Sequence, residues 1–170
     1  MQLRLATCTL RPWRSGDEVT LVPHANDRRV WRNLRDRFPH PYTPNDATQW
    51  VRMAALLGDS QFAIDVDGAA VGGIGYEQLD DVYRAGAELG YWLGAGLWGR
   101  GIMTDAVRAV TAHAFASTDI HRLQAGVFSW NVPSMRVLEK AGFAREGTYR
   151  RAILKDGELG DLAMFVRLRD

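Results

Sequence analysis

Apolar residues in this chain change their spacing several times, and each change marks an element. From Ile102 to Phe115 they fall on one helical face: Ile102, Met103, Ala106, Val110, Ala114 and Phe115. Just upstream, Gly86 to Leu93 is an apolar, aromatic run of strand type. Gln61 to Val66 and Ala70 to Tyr76 flank Asp67-Gly68, a dipeptide suited to a tight hairpin turn. Leu79 to Ala85 is a polar turn. Leu123 to Trp130 reads as a further strand, and Pro133 to Ala141 as a short helix closed by Gly142. Glu146 to Leu154 and Asp161 to Leu168, joined at Asp156-Gly157, predict a last hairpin.

The first third is less periodic. Thr7 to Pro12 reads as an edge strand ended by proline, which cannot donate to a ladder. Asp17 is placed to cap a helix through Val19, Leu21 and Val22 and later Val30, Trp31 and Leu34, with Pro23 dividing it. Phe38 to Tyr42 holds two prolines and predicts a rigid extended loop. A helix restarts at Asn45 or Asp46, carries Trp50, Met53, Ala54 and Leu57, and stops at Gly58. We find no internal repeat, linker or low-complexity tract. A strand meander, then strand–helix–strand–helix, then a hairpin predict one α/β (α+β) domain over residues 1–170, a mixed sheet with helices on both faces.

Length and charge narrow the function. A chain of 170 residues can bury a sizeable core. A net charge of +1 gives no electrostatic case for nucleic acid or membrane as the main partner. Cys8 is the single cysteine, so neither a disulfide framework nor a thiolate metal site is expected. His24, His40, His113 and His121 lack metal-ligand spacing, and no metal is expected. Arg4 and polar residues interrupt Met1 to Leu10, and no apolar run approaches a membrane span; a cytoplasmic protein is expected.

The candidate chemistry lies between the aromatic strand and the long helix. Gly94 to Thr104 carries four glycines, and a strand–glycine loop–helix arrangement aims bare amides and a helix N-terminus at one point, where anions bind. Gly94-Ala95-Gly96-Leu97-Trp98-Gly99 matches the dinucleotide pattern, and Asp119 lies at a suitable distance. However, the helix leaves no room for the strand that must carry that acid. Gly101 is followed by Ile102-Met103, which excludes the nucleotide-triphosphate loop. A glycine turn without a ligand is the plain alternative.

Gly90-Tyr91-Trp92-Leu93 followed by Leu97-Trp98-Gly99-Arg100-Gly101-Ile102-Met103-Thr104-Asp105-Ala106 resembles the coenzyme A loop of the Gcn5-related N-acetyltransferases (GNAT). Asn131 to Phe143, Glu146-Gly147, Phe38 to Thr43 before Trp50, and Lys155-Asp156-Gly157 before Asp161 resemble its RimJ/RimL branch, which acetylates N-termini of ribosomal proteins. Gly96 departs from the family pattern, which has Gln or Arg there. The resemblance implies the acyl-CoA N-acyltransferase fold, a mixed sheet of six to seven strands, with acetyl-CoA as donor and a homodimer as an option. It places the cofactor on Trp92, Leu93, Trp98, Gly99, Arg100, Gly101, Ile102, Met103 and Thr104, the pantetheine arm pairing with the strand ending at Leu93. A main-chain amide near Trp92 or Leu93 would stabilise charge on the thioester oxygen. Asn131 and Ser134 would also contact the cofactor.

For the amine, Glu88 is the candidate base. It alternates with Gly90 and Trp92 on one strand face, where partial burial would make it more basic. Glu77 competes for the role or lines the acceptor site, and a structural pairing of Glu88 with Arg84 is the bland alternative. Ser134 or Tyr149 would protonate the departing thiolate, although Asn131 and Ser134 also suit helix capping. His40 and Tyr42 are candidates for lining the acceptor site. Freeing a chain-terminal α-amine at pH 7 costs about 1.4 kcal/mol, against roughly 4.6 for lysine. Direct transfer to a protein N-terminus is therefore the expected reaction. A small amine as acceptor (a polyamine, an antibiotic or an amino-acid derivative) and a non-catalytic acyl-CoA-binding module are the alternatives.

Overall fold

A computed structural model describes residues 2–170. Eight strands form one mixed sheet in the order β1-β2-β3-β4-β5-β6-β8-β7. Packing divides the chain into two interleaved units. One runs from the N-terminus to Gly75 and takes in Tyr91–Ala106; the other holds Tyr76–Gly90 and Val107–Asp170.

The first unit contains β1 (Leu3–Arg4), β2 (Thr9–Arg11), β3 (Gln61–Val66) and most of β4 (Ala69–Gln78), with helices α1 (Asp17–Ala25), α2 (Arg28–Trp31) and α3 (Pro44–Leu56). β2 pairs antiparallel with both β1 and β3, so the expected edge strand is an inner one. The two-residue β1, too short to show a period, forms the edge and brings the count to eight. Asp17 does not cap α1; Gly16 holds the cap position without a side-chain bond. Its carboxylate instead takes both terminal nitrogens of the buried Arg11 at 2.8 and 2.7 Å, while Arg11 Nε donates to Asp65 at 2.6 Å. A buried guanidinium requires such partners, and here they tie β2, α1 and β3 together.

α3 starts one or two residues earlier than expected because Thr43 caps it. The Thr43 hydroxyl accepts from the Asp46 amide, the Asp46 carboxylate accepts from the Thr43 amide, and Pro44 fills the first turn. The faces of α1 and α3 close over Trp13, Leu21, Ala25, Tyr42, Val51 and Ala54, with Phe38, Trp50 and Trp92 at the margin.

The second unit holds most of α4 (Ile102–Ser117), β6 (Arg122–Phe128), α5 (Val132–Lys140), β7 (Ala144–Lys155), β8 (Glu158–Leu168) and the start of β5 (Gly86–Leu93). β5 and β6 pair in parallel only over Gly86–Glu88 and Arg122–Gln124. From Leu89 and Ala125 onward each continues as a strand beyond that ladder. β8 pairs along β6, and the β7–β8 hairpin turns at Asp156-Gly157. Gly142, at φ 86°, ends α5, and Phe143 N returns to Leu138 O at 3.0 Å, a Schellman closure. Among the described residues no helix is long and apolar enough to cross a membrane.

Candidate active site

The glycine loop belongs to the first unit and is held by its own atoms. Gly94 N donates to Val71 O of β4 at 2.9 Å, and a short 3₁₀ turn follows over Ala95–Leu97. The Trp98 indole N–H donates back to Leu93 O at 2.8 Å, and the Arg100 guanidinium to Gly96 O at 3.1 Å. Gly99 and Gly101 have φ of 78° and 81°, and a Cβ on either would meet nothing within 4 Å. Asp105 is the first α4 residue to donate backwards, to Gly101 O at 3.1 Å. The amides of Ile102, Met103 and Thr104 therefore have no intrahelical carbonyl, and they sit at the positive end of the helix dipole. Asp105 is anchored by the Thr7 hydroxyl at 2.9 Å. The loop therefore offers amides at a helix start beside two glycines that carry no side chain. The Trp98 amide donates to Ala95 O at 3.3 Å.

Strand geometry distinguishes the two expected amides. Gly94 donates towards β4, so alternation turns the N–H and C=O of Leu93 the other way. The Leu93 carbonyl takes Trp98, and its amide points away from β4. The Trp92 carbonyl faces β4 closely enough that a Cβ on Gly72 would come within 2.4 Å of it. Of the two expected amides, Leu93 is the one directed off the sheet partner.

In the second unit, Glu88 is half-buried at the last rung of the β5–β6 ladder. Ala87 and Leu89 on the opposite face are buried, and Gly90, next along Glu88's own face, is exposed with nothing within 4 Å of an added Cβ. Asn131 caps α5: its Oδ1 accepts from Ser134 N at 3.3 Å, and its carbonyl from the same amide at 3.1 Å. Ser134 lies half-buried in the first turn of α5. Tyr149 is 58% exposed on β7, at the edge of the sheet, just before a break in register over Tyr149–Ile153. Glu77 is exposed near the end of β4.

The acceptor-side candidates separate. Tyr42 is only 5% exposed, and burial, helped by Asp46, pushes its hydroxyl pKa up to about 12; it is a core residue. His40 is exposed and stacks on Trp31 at 5.4 Å. Phe38 joins Tyr42 (4.9 Å, stacked) to Trp92 (5.3 Å, edge-on) and so fixes this loop against β5. His24 was missed: it packs so tightly on Gly94 that a Cβ there would lie 2.4 Å from its ring. The Gly72-Gly73 pair inside an apolar strand is the sequence signal of the close approach of β4 to the backbone of Trp92 and Leu93. Among the described residues no His, Cys, Asp and Glu cluster could hold a metal ion.

Loop, strand and helix together define a class, an α/β protein with a glycine loop leading from a strand into the start of a long helix. Residues 8–144 match the acetyltransferase (GNAT) domain model, and the chain belongs to that family. It is 44% identical over 87 residues to the probable N-acetyltransferase YjcK of Bacillus subtilis (strain 168), covering 49% of this chain and 48% of that one. It is 27% identical over 109 residues to the ribosomal-protein-serine acetyltransferase of Escherichia coli (strain K12), covering 64% and 60%. The chain thus spans less than two thirds of either relative. In fold it is similar to RimL, a ribosomal L7/L12 alpha-N-protein acetyltransferase solved with coenzyme A, at TM-score 0.86 and 21% identity, covering 100% of this chain and 99% of that one.

Proposed function

We propose that this protein transfers an acetyl group from acetyl-CoA to the N-terminal α-amine of a protein. The observation that carries the reading is the amide run Ile102–Thr104 behind two open, left-handed glycines, a cradle that suits the diphosphate of coenzyme A. Acetyl-CoA supplies the acetyl group as a thioester. The loop amides and the α4 N-terminus hold the phosphates, with the Thr104 hydroxyl and the Arg100 charge beside them. The Leu93 amide stabilises negative charge on the carbonyl oxygen under attack. Glu88, directly or through water, takes the proton from the amine, and Ser134 or Tyr149 returns one to sulfur. Asn131 and Ser134 serve the cofactor while capping α5. The likeness to ribosomal-protein acetyltransferases supports a protein N-terminus as acceptor, as does the smaller cost of freeing an α-amine.

Calorimetric titration with acetyl-CoA followed by a thiol-release assay over N-terminal peptides, lysine peptides and small amines tests the proposal. Release with free N-terminal peptides and not with N-blocked ones is the expected result. Release only with small amines would overturn the acceptor, and tight cofactor binding with no release would overturn catalysis.

A further inference from the structure

The β7–β8 ladder breaks where Tyr149 faces Leu162 and Ile153 faces Gly160, so Arg150, Arg151 and Ala152 stand opposite the single residue Asp161. Within this bulge Arg151 takes φ 51°. An arginine in the left-handed region is uncommon, and such strain persists only where the surroundings fix it. Here they do. The Arg151 amide donates to Asp161 Oδ1 at 2.8 Å, and the Asp161 carbonyl accepts from Ser129 N at 3.0 Å. Asn131 N closes the next turn on Phe128 O at 2.8 Å. Asp161 thus fastens the bulge to the turn that carries Asn131, the cap of α5. Beside it, the Trp130 ring packs so closely on Gly160 that a Cβ there would lie 2.4 Å from it. Bulges are frequent next to binding sites, where they re-aim side chains.

The charge on the bulge is not balanced from within. On the neighbouring strands Arg122 grips Glu146 at 2.8 Å, Arg145 donates to the Thr148 hydroxyl at 2.8 Å, and Arg167 to Gly142 O at 3.3 Å. The exposed guanidiniums of Arg150 and Arg151 make no hydrogen bond or ion pair among the described residues. Asp161 turns its carboxylate to the Arg151 amide, and Glu146 is held by Arg122, which keeps its carboxyl below the usual range. Residues 147–154 contain both arginines and no acid. Guanidinium forks on adjacent residues suit a carboxylate, which each can hold through two bonds. Tyr149, directly before them, is one of the two groups assigned to the departing sulfur, so the bulge adjoins the place where the amine arrives. We propose that Arg150 and Arg151 hold a carboxylate of the acceptor, an Asp or Glu side chain among the first few residues behind the amine. The site thereby selects acidic N-terminal sequences. The inference rests on the acetyl-transfer reading above.

The test uses peptides of one neutral sequence in which a single Glu is moved from the second residue to the fifth, each with its Gln counterpart. Binding is read by fluorescence anisotropy on N-acetylated, unreactive copies, and turnover by thiol release on free ones. The best-placed Glu is expected to bind roughly tenfold tighter than its Gln counterpart and to lower KM more than it changes kcat. The gap should narrow at high salt. Arg151→Gly removes the guanidinium while glycine keeps the left-handed turn without strain. That variant should hold or raise the Tm and lose most of the Glu preference, and Arg150→Gln/Arg151→Gly should lose all of it. Acetyl-CoA affinity should be unchanged in both. A Tm several degrees lower in Arg151→Gly would assign that side chain to the fold and overturn its role in the acceptor site. Equal binding of Glu and Gln peptides at every position by the unaltered protein overturns the proposal and needs no variant to fold. So does a matching loss of acetyl-CoA affinity in the variants, which would assign the arginines to a phosphate of the cofactor. Glu preference in binding without acetylation of any peptide supports the site and sinks the reaction. Equal binding and acetylation of the Glu and Gln peptides sinks the site and leaves the reaction.

Discussion

The indole of Trp98 donates to the carbonyl of Leu93 at 2.8 Å, five residues back along the chain, and so closes the loop between β5 and α4 on itself. Leu93 is thereby fixed at both polar atoms' directions, its carbonyl on Trp98 and its amide turned off β4. Trp98→Phe keeps a ring that is 45% exposed and removes only the donor. The lost bond is worth about 1 kcal/mol, so Tm should fall by only a few degrees. Acetyl-CoA affinity, measured by calorimetry, should fall roughly three- to tenfold as the loop loosens, within the range of about 1 kcal/mol. Unchanged affinity would make Trp98 a bystander.

Two glycine substitutions separate conformation from crowding. At Gly101, φ is 81° and a Cβ meets nothing within 4 Å, so alanine incurs only the left-handed backbone strain of about 1–2 kcal/mol. At Gly72 a Cβ would stand 2.4 Å from the Trp92 carbonyl and 3.0 Å from Leu93 Cα, main chain against main chain. Urea unfolding should therefore show Gly72→Ala as the more damaging change, by more than about 3 kcal/mol. Gly101→Ala should also weaken acetyl-CoA binding, since its methyl enters the cradle. A Gly72→Ala variant as stable as Gly101→Ala would contradict the close approach of β4 and β5.

These sites mark how far the sequence could be read. β5, the Asp67-Gly68 hairpin and α4 were legible because long apolar periods and turn dipeptides are local signals. Asp17 looked like a cap because a carboxylate before an apolar helix is usually one; the competing claim of a buried Arg11 six residues away lies in three dimensions. Thr43 was passed over for Asn45 or Asp46, although Thr43 and Asp46 together make a capping box. Tyr42 read as a loop residue lining a site, but stacking on Phe38 draws it into the core. The direction of the Leu93 amide could not be read at all, since it depends on which strand Gly94 bonds.

Tyr42 gives the fold an alkaline limit. Its pKa is raised from an ordinary 10.0 to about 12, chiefly by burial, so the folded state holds the phenolic proton more tightly than the unfolded chain. That contribution is fully present below pH 10 and is lost as pH rises from about 10 to about 12, by roughly 2–3 kcal/mol. Tyr42→Phe should remove this slope. Urea midpoints taken across that window in both proteins check it; parallel curves would show that Tyr42 ionises as freely folded as unfolded.

Removing one partner of the buried Arg11 group should be costly. Asp17→Asn leaves a guanidinium, whose side chain is 7% exposed, facing a neutral amide with only Asp65 to balance it. The expected loss is about 3–5 kcal/mol. Arg11→Lys should rescue poorly, because Nε and both terminal nitrogens of arginine are used at once and an ammonium cannot reproduce that fork. Thermal unfolding of the two variants tests this, and a Tm within a degree or two of the parent for either would show that the ion cluster does not hold β2, α1 and β3 together.

Glu88→Gln tests the proposed base without removing the packing of its side chain. Glu88 ends the β5–β6 ladder on the half-open face of β5, with Gly90 leaving space beyond it. The glycine cradle is built by residues from Gly94 onward, so acetyl-CoA affinity should stay within about twofold. If Glu88 accepts the amine's proton, turnover near neutral pH should fall by about tenfold or more. The variant must then wait for amine that solvent has already deprotonated, a fraction of about one tenth at pH 7 for an α-amine with pKa about 8. Its rate should accordingly climb tenfold per pH unit up to about pH 8, whereas the parent should reach its plateau at lower pH. Equal turnover and an unshifted profile would remove Glu88 from the reaction, and the same measurement on Glu77→Gln would then decide whether the exposed carboxylate on β4 takes its place.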